Sequence, residues 1–241
     1  MTVAPDGRMV PRCMSTQHPD NVATPFFGSS QILGPEDEIR EAYYAFSHLG
    51  CDEQMWDYEG KEVDQFVVEK LLSAEPTFFR EHAIGAEVFL TPRVPNPRFE
   101  PAQAKLLLEV LNSLPRHSDA SRLFYGDARA PIFELIYPMT TSADELERVR
   151  RYYERFVVGV QDAILLEGDR PMSEVFGSFQ PSTVQMIPLI EDKPYLPPRR
   201  SDRRWPLAER ASSLPSCLHR ALGPGAELRV GRGDASRAGR A

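Results

Sequence analysis

The chain has 241 residues, of which 41% are hydrophobic and 26% are charged, and its formal net charge is −7. This length accommodates one large domain or two small ones, and the composition is ordinary for a soluble globular protein. No apolar run approaches the ~20 residues that a membrane-spanning helix requires. The first residues also lack the basic-then-apolar pattern of a signal peptide. We therefore expect a cytoplasmic protein with no membrane partner.

The charge is unevenly distributed along the chain. Residues 197–241 contain ten Arg, no Lys and four acids, whereas the preceding 196 residues contain 18 basic and 31 acidic residues. An acidic body argues against nucleic acid as a partner, because non-specific binding requires a basic face. The three cysteines form no CxxC pair, which favours a reducing compartment over a disulfide framework. Five scattered histidines without a Cys/His cluster argue against a structural zinc site.

The amino-terminal region divides at Met14. Residues 1–13 show no periodicity, so we predict an unstructured extension there, with Met14 as the natural start. The polar stretch 15–21 follows, and within it Pro19 disfavours a helix at His18. We expect His18 to end a strand, with its ring in a pocket built from loops. The alternative is a polar leader with one incidental histidine.

Helices are indicated at four places. Pro35 and the acids after it fit the first turn of a helix of roughly 14 residues that ends near Gly50. Apolar residues at helical spacing predict further helices over 63–71 and 107–114. A capping box at Ser142 predicts a long helix that runs to Ile164.

Strand-like segments alternate with these helices, which predicts a parallel sheet. One begins the stretch 51–61 and ends in an acidic, aromatic loop, and the others lie at 87–91, 131–137 and 184–190. The proline-rich turn 92–97 is expected to end the strand over 87–91. An open doubly wound sheet usually carries a glycine-rich phosphate turn, and this chain has none. We therefore predict an α/β fold over residues 14–196, a partial (β/α)8 TIM barrel. Polar and charged residues that could act in catalysis or binding follow the predicted strand ends, where such barrels build active sites. These residues are His18, Asp57, Arg93, Thr140 and Glu191.

The residue types indicate chemistry on a small anion. Arg93, held among prolines, suits bidentate binding of a phosphate or carboxylate. Glu191 and Asp192 suit Mg²⁺, and His18 is able to carry a proton or, when protonated, to attract an anion. Structural alternatives stay open at this point. Arg93 also fits a surface ion pair, the two acids fit a helix amino terminus, and Trp56 fits the core.

Five segments, in order and in register, resemble the archaeal-type phosphoenolpyruvate carboxylase family. This resemblance extends from residue 14 to about residue 192 and is more specific than any single short motif. The five segments are MSTQHPDN (14–21), EQMWDYEGKEVD (53–64), TPRVPNP (91–97), PIFELIYPMTTS (131–142) and QMIPLIED (185–192).

The resemblance implies a (β/α)8 barrel of the phosphoenolpyruvate/pyruvate class and a carboxy-lyase, that is, a carbon–carbon lyase. The family converts phosphoenolpyruvate and bicarbonate to oxaloacetate and phosphate, by way of carboxyphosphate and an enolate. It uses Mg²⁺ or Mn²⁺, and the full-length enzyme is expected to be a homotetramer.

Residue roles follow from the same resemblance. His18 is implied as a catalytic residue at the carboxyphosphate and enolate stage, and Arg93 as a catalytic residue that contacts the substrate phosphate. Glu191 resembles a residue that supplies a metal carboxylate. The substrate-binding residues are expected to be Gln17, Asp57, Lys61 and Arg93.

The resemblance ends near Pro197. The tail over residues 197–241 is rich in Arg, Ala, Gly, Ser and Pro, and we expect it to be disordered. Arg200-Ser201-Asp202 is similar to a family element that carries a second metal carboxylate, but it belongs to no predicted strand. We interpret the tail as the product of a frameshift, and reading the DNA in the other two frames after codon 192 tests this. The alternative is a genuine basic tail.

About half a barrel leaves open sheet edges, so the sequence predicts negligible carboxylase activity and a tendency to aggregate. Two other functions stay open. One is a non-catalytic remnant or interaction module, and the other is a different lyase of the same barrel class that acts on a related 2-oxo acid.

Overall fold

The computed structural model describes residues 9–17, 28, 34–58 and 63–191. Predictions that concern residues 1–8, His18, Lys61, Asp192 or the tail 197–241 therefore lie outside the described residues. The described part of the predicted extension, residues 9–13, contacts the sheet edge through Arg12 and Cys13. Within these residues, no helix combines the length and the apolar character needed to cross a membrane.

The described residues form one sheet of five parallel strands in the spatial order β1-β2-β3-β4-β5. A doubly wound sheet reverses its strand order at a switch point, whereas this order follows the chain without reversal. The sheet is therefore a run of successive strands of a (β/α)8 wall, and the predicted partial barrel is confirmed. The strands are β1 (Met14–Ser15), β2 (Glu53–Asp57), β3 (Phe89–Arg93), β4 (Glu134–Tyr137) and β5 (Gln185–Pro188).

Helices occupy the connections between the strands. The first has Pro35 at its first position and three acids in its first turn, as its sequence predicts. The longest ends at Gly126, whose φ of +79° suits glycine at a helix carboxyl terminus. The helices are α1 (Pro35–Ser47), α2 (Val67–Ala74), α3 (Pro76–Glu81), α4 (Ala104–Tyr125), α5 (Ala143–Tyr152) and α6 (Met172–Phe176).

The strand predicted over 87–91 was expected to end before Pro92. This is wrong, because the observed strand, β3, continues through Pro92 to Arg93. Pro92 lies opposite Trp56 of β2, whereas β3 pairs with β4 at Arg93. The Val94 N–H donates to Ile136 O at 3.0 Å, so β3 bonds to β4 beyond Pro92, which has no N–H to add to that ladder. The extra residues place the Arg93 side chain at the end of the strand itself.

The single long helix predicted to Ile164 is also wrong. After α5 the chain continues as a π-helical turn (Tyr153–Val158) and then a 3₁₀ turn (Gly159–Asp162). Regular 3.6-residue periodicity therefore ends at Tyr152, although the apolar spacing continues. The Tyr153 hydroxyl lies within this turn and donates to Pro181 O at 2.7 Å. The segment before β5 is thereby held against the turn.

The capping box predicted at Ser142 does not form. The Ser142 side chain makes no capping hydrogen bond. Instead, the Glu145 carboxylate accepts from the backbone N–H of Thr141 at 3.1 Å and from its hydroxyl at 2.7 Å. The Glu145 carboxylate therefore holds Thr141, the residue before the N-cap, against the first turn of α5.

Side chains along the strands alternate between two faces of the sheet. One face belongs to the hydrophobic core, and Trp56 is 1% exposed there, as expected for a core residue. The opposite face carries buried polar side chains. Apolar packing on one face and polar groups on the other is the arrangement of a barrel wall with its helices outside. The buried polar residues of this face are Glu53, Thr91 and Glu134, and the core strand residues are Trp56, Leu90, Leu135 and Met186. Gln54 is an exception, because it is a fully buried polar residue on the same face as Trp56.

A buried histidine on α4 predicts a pH-dependent stability. His117 is 1% exposed, and its Nε2 has no hydrogen-bond partner among the described residues. Burial, together with the neighbouring Arg116 charge, lowers the pKa of His117 to about 4, against a smaller opposing effect of Asp64. The unfolded chain binds this proton near pH 6.5, so stability is fully present above that pH and falls as the pH drops towards 4.

We expect His117 to make the free energy of unfolding up to about 3 kcal/mol smaller at pH 4 than at pH 7. Urea denaturation at several pH values measures this change. The matched control is His117→Gln, which is similar in size but does not titrate. An unchanged pH profile in the variant would contradict the assignment.

Candidate active site

Two predicted site residues terminate neighbouring strands and face each other across the sheet. Asp57 is the last residue of β2, Arg93 is the last residue of β3, and the two are register partners. Thr140 and Glu191 follow the ends of β4 and β5. Because the strands are parallel, all these residues belong to the carboxyl edge of the sheet, where barrel enzymes build their sites.

The Arg93 guanidinium makes a bidentate ion pair with the Asp57 carboxylate. Arg93 Nε lies 3.0 Å from Asp57 Oδ1, and Nη2 lies 2.6 Å from Oδ2. The two side chains are 26% and 18% exposed, so the pair is partly shielded from water. Two parallel hydrogen bonds fix the plane of the guanidinium as well as its position. Arg93 is thus both an ion-pair partner and an oriented cation at the strand edge.

The backbone around this pair is fixed by the strands on either side. Gln17 Oε1 accepts from the Asp57 N–H at 2.7 Å, and the Tyr58 N–H donates to Arg93 O at 3.0 Å. The buried Gln17 side chain therefore holds the end of β2 from the β1 side. Its predicted contact with substrate stays a prediction.

A buried polar contact between Thr91 and Glu53 lies on the same face of the sheet as the Asp57–Arg93 pair, closer to the amino ends of the strands. The Thr91 hydroxyl donates to Glu53 Oε1 at 2.5 Å, and the two residues are 2% and 4% exposed. Glu53 and Asp57 are four residues apart on one strand and therefore share a face. The sequence reasoning did not identify this contact, although the alternation of Glu53, Met55 and Asp57 was the available signal.

Asn96 joins the loop after β3 to the loop after β4. Its side chain is fully buried, and its Nδ2 donates to Pro138 O at 2.9 Å and to Met139 O at 3.4 Å. Its Oδ1 accepts from the Tyr137 hydroxyl at 3.1 Å. Burial, with a contribution from the Glu145 charge, raises the pKa of Tyr137 to about 12, so the phenol keeps its proton and donates. Asn96 was not predicted as a site residue, because the sequence places it only within a proline-rich turn.

The backbone that Asn96 holds is strained. Met139 has a φ of +48°, which is uncommon for a residue other than glycine. Thr140, the next residue, is fixed by two hydrogen bonds. Its N–H donates to Leu189 O at 2.9 Å, and its hydroxyl donates to Tyr137 O at 2.7 Å. Such conformations persist where the surroundings determine them and are often found at functional sites.

A second link between these loops runs through charged groups. Arg98 Nη1 lies 3.0 Å from Glu145 Oε1 and also donates to the Thr141 hydroxyl. Burial alone would raise the pKa of Glu145, but hydrogen bonds from Thr141 and Arg98 lower it below its usual value. Glu145 is therefore ionised near neutral pH and holds the loop after β3 against the start of α5.

The described residues do not by themselves form a metal site. Among them, no three His, Cys, Asp or Glu side chains lie close enough together to hold a cation. Glu191 is exposed and follows β5, so it adds one carboxylate to the carboxyl edge. Mg²⁺ usually keeps several waters and binds one or two carboxylates together with substrate phosphates.

The chain matches a known protein family. The family model described as phosphoenolpyruvate carboxylase matches residues 10–198. This span contains every strand and helix of the described residues.

Curated relatives carry the same name. The phosphoenolpyruvate carboxylase of Methanothermobacter thermautotrophicus is 57% identical over 183 residues, which are 76% of this chain and 38% of the relative. That of Pyrococcus furiosus is 56% identical over 185 residues, 77% of this chain and 39% of the relative. That of Halobacterium salinarum is 54% identical over 188 residues, again 38% of the relative. The chain thus spans well under half the length of these relatives. By this family match, the chain belongs to the phosphoenolpyruvate carboxylase family.

Proposed function

We propose that the chain carries part of the active site of a phosphoenolpyruvate carboxylase, which forms oxaloacetate and phosphate from phosphoenolpyruvate and bicarbonate. The single observation that carries the proposal is the bidentate Asp57–Arg93 pair at the carboxyl edge of a partial barrel. The names of the relatives support the same reaction. For the full-length enzyme, we propose a homotetramer.

Arg93 would bind the phosphate of the substrate. Its planar fork of N–H donors matches the spacing of phosphate oxygens, and its charge remains at any physiological pH. The ion pair with Asp57 fixes the fork before substrate arrives, so that little rotamer entropy is lost on binding. Negative charge that moves between the phosphate and the developing enolate is stabilised by such a preorganised cation.

The groups around Arg93 are proposed to position it and the strand ends. Asp57 orients the guanidinium, Gln17 holds the end of β2, and the Glu53–Thr91 contact forms a polar layer beneath them. Exclusion of water matters here, because protonation of the enolate would give pyruvate instead of oxaloacetate. His18 is proposed to act at the carboxyphosphate and enolate stage, and Lys61 to contact substrate.

Glu191 is proposed as one carboxylate ligand of Mg²⁺ or Mn²⁺. When bound, such a cation would neutralise negative charge on substrate oxygens. The described residues contain no cluster of three His, Cys, Asp or Glu side chains, so we propose that substrate oxygens, water and residues outside the described ones supply further ligands.

The first test measures the chain by itself. We expect residues 1–241 with phosphoenolpyruvate, bicarbonate and Mg²⁺ to form no oxaloacetate above background, because the five described strands make only part of a barrel wall. A coupled assay with malate dehydrogenase and NADH measures oxaloacetate directly. Turnover by the chain alone would show that it needs no further strands.

The second test asks whether this segment works within a complete barrel. A chimera would join residues 10–191 of this chain to the part of the Methanothermobacter thermautotrophicus enzyme that follows its matched segment. At 57% identity over the matched residues, the substituted segment should pack against the rest of the barrel. We expect carboxylase activity within about tenfold of the relative, a barrier change of about 1.4 kcal/mol.

The chimera also separates the alternative functions. Phosphate release that depends on bicarbonate and is matched by oxaloacetate supports carboxylation. Bicarbonate-independent turnover of a 2-oxo acid would indicate another lyase. A folded chimera without turnover, alongside an active relative, would indicate a non-catalytic segment.

A further inference from the structure

Two cysteines lie beside each other at the amino edge of the sheet, opposite the candidate active site. Cys13 directly precedes β1, and Cys51 lies two residues before β2. The parallel pairing places Met14 opposite Glu53, which brings the residues before the two strands together. Cys13 is exposed and Cys51 is half-buried.

The contacts of the two thiols agree with this register. Cys13 Sγ lies 3.7 Å from the carbonyl oxygen of Gly50, the residue directly before Cys51. The neighbouring Cys13 thiol contributes to the raised pKa of Cys51, which requires the two side chains to lie close together. The Cys51 N–H donates to Ala45 O at 3.0 Å, which fixes the cysteine at the end of the turn after α1.

Residues on neighbouring strands fall within the distance range that a disulfide requires. Adjacent strands lie about 4.8 Å apart, and disulfide-bonded cysteines have Cα atoms about 4.4–6.8 Å apart. Cys13 lies one position before a register pair, and Cys51 lies two positions before the same pair. Cys13 therefore lies opposite Asp52, and Cys51 is its diagonal neighbour. Neither cysteine lies within a strand, so strand alternation does not force the two side chains to opposite faces. The contact of Cys13 Sγ with Gly50 O directs its side chain towards Cys51.

We propose that Cys13 and Cys51 form a reversible disulfide that links the amino ends of β1 and β2 under oxidising conditions. The bond closes a loop of about 38 residues that contains the whole of α1. This site does not depend on the proposed enzyme activity, because it lies at the other edge of the sheet. Under reducing conditions, the pair stays as two thiols.

The reaction is a thiol–disulfide exchange with a small disulfide such as oxidised glutathione. The thiolate of Cys13, the exposed member, attacks one glutathione sulfur and releases the first glutathione as a thiolate. Cys51 then loses its proton and attacks the Cys13 sulfur of the mixed disulfide, which releases the second glutathione. Two protein thiols are oxidised, and one glutathione disulfide is reduced to two thiols. Burial and the neighbouring Cys13 thiol raise the pKa of Cys51, so the second step should accelerate as pH rises.

The bond would fix the shortest strand of the sheet. β1 contains only two residues, and it pairs with a single neighbour at the edge of the described sheet. An ion pair already holds the same region, with Arg12 Nε 2.8 Å from Asp52 Oδ2 and Nη2 2.9 Å from Oδ1. A covalent link beside this ion pair would hold β1, and with it Gln17, which contacts the end of β2.

The test uses the full chain of 241 residues, oxidised with glutathione disulfide under native conditions and mapped by mass spectrometry of unreduced peptides. We expect the Cys13–Cys51 crosslink to dominate and the thermal midpoint to rise by about 5–10 °C relative to the reduced chain. The matched variants are Cys13→Ser and Cys51→Ser, in which oxidation should leave the midpoint unchanged. Cys217→Ser should still form the bond.

A parallel oxidation in urea provides the reference for random pairing. In the unfolded chain, all three cysteines compete, so crosslinks to Cys217 should appear. If the native sample shows the same mixture as the urea sample, or only glutathione adducts on Cys13, the proposal is wrong. A native crosslink that forms in Cys217→Ser but leaves the thermal midpoint unchanged would overturn its stabilising role on β1.

Discussion

Replacement of Arg93 by lysine is expected to lower kcat/KM for carboxylation in the chimera by about 10²–10³-fold, similar to the loss of one preorganised donor at a transition-state charge. Lysine keeps the positive charge but loses the planar fork that pairs with Asp57 at 3.0 and 2.6 Å. The loss should therefore come from orientation. Steady-state kinetics with varied phosphoenolpyruvate measures it.

The matched control is Arg122→Lys. Arg122 also pairs with a carboxylate, Asp119 at 2.7 Å, but it lies on α4, with 51% of its side chain exposed. Exposed ion pairs of this kind contribute little to stability. We therefore expect the activity to stay within about twofold and the free energy of unfolding within about 0.5 kcal/mol of the unsubstituted chimera. Equal losses of activity for the two substitutions would show that Arg93 is an ordinary ion-pair partner with no specific role in the active site.

Asp57→Asn tests the other half of the pair. Asparagine keeps the shape of the side chain and one acceptor oxygen but removes the charge that holds the guanidinium. If Asp57 acts through Arg93, the loss should be smaller than in Arg93→Lys, and the double variant should be little worse than Arg93→Lys alone. Fully additive losses would show that the two residues act independently.

Gly85→Ala is expected to destabilise the fold by about 2–5 kcal/mol, the largest effect on stability that we predict for a single methyl group. Gly85 precedes β3 with a φ of +88°, and an added Cβ would lie 2.4 Å from Ala130 O, a backbone atom just before β4. The strain of the left-handed conformation and the overlap with backbone therefore add together. Chemical denaturation of the full chain measures the difference.

Gly126→Ala is the matched control for Gly85→Ala. Gly126 has a similar φ of +79° at the end of α4, but an added Cβ there meets no atom within 4 Å. Only the conformational strain remains, so we expect a loss of about 1–2 kcal/mol. Similar losses for the two variants would show that the backbone around Ala130 adjusts to the extra methyl group.

The class of fold and the residues at the strand ends follow from local patterns in the sequence. Alternation of apolar strands with amphipathic helices predicts a parallel sheet, because both patterns are local and repeat along the chain. Asp57 and Arg93 were identified in the same way, and the resemblance of five segments indicated the family. Its implied roles for His18, Lys61 and Glu191 remain predictions.

How these residues contact one another depends on the packing of elements that are distant in the sequence. The Asp57–Arg93 pair depends on the register between β2 and β3, which no local pattern specifies. Contacts such as Asn96 to Met139 join positions about 43 residues apart, and periodicity carries no information about such distances. The same holds for Cys13 and Cys51, whose spacing forms no motif but which parallel pairing places side by side. Local patterns determine elements, whereas the packing of distant elements determines the site.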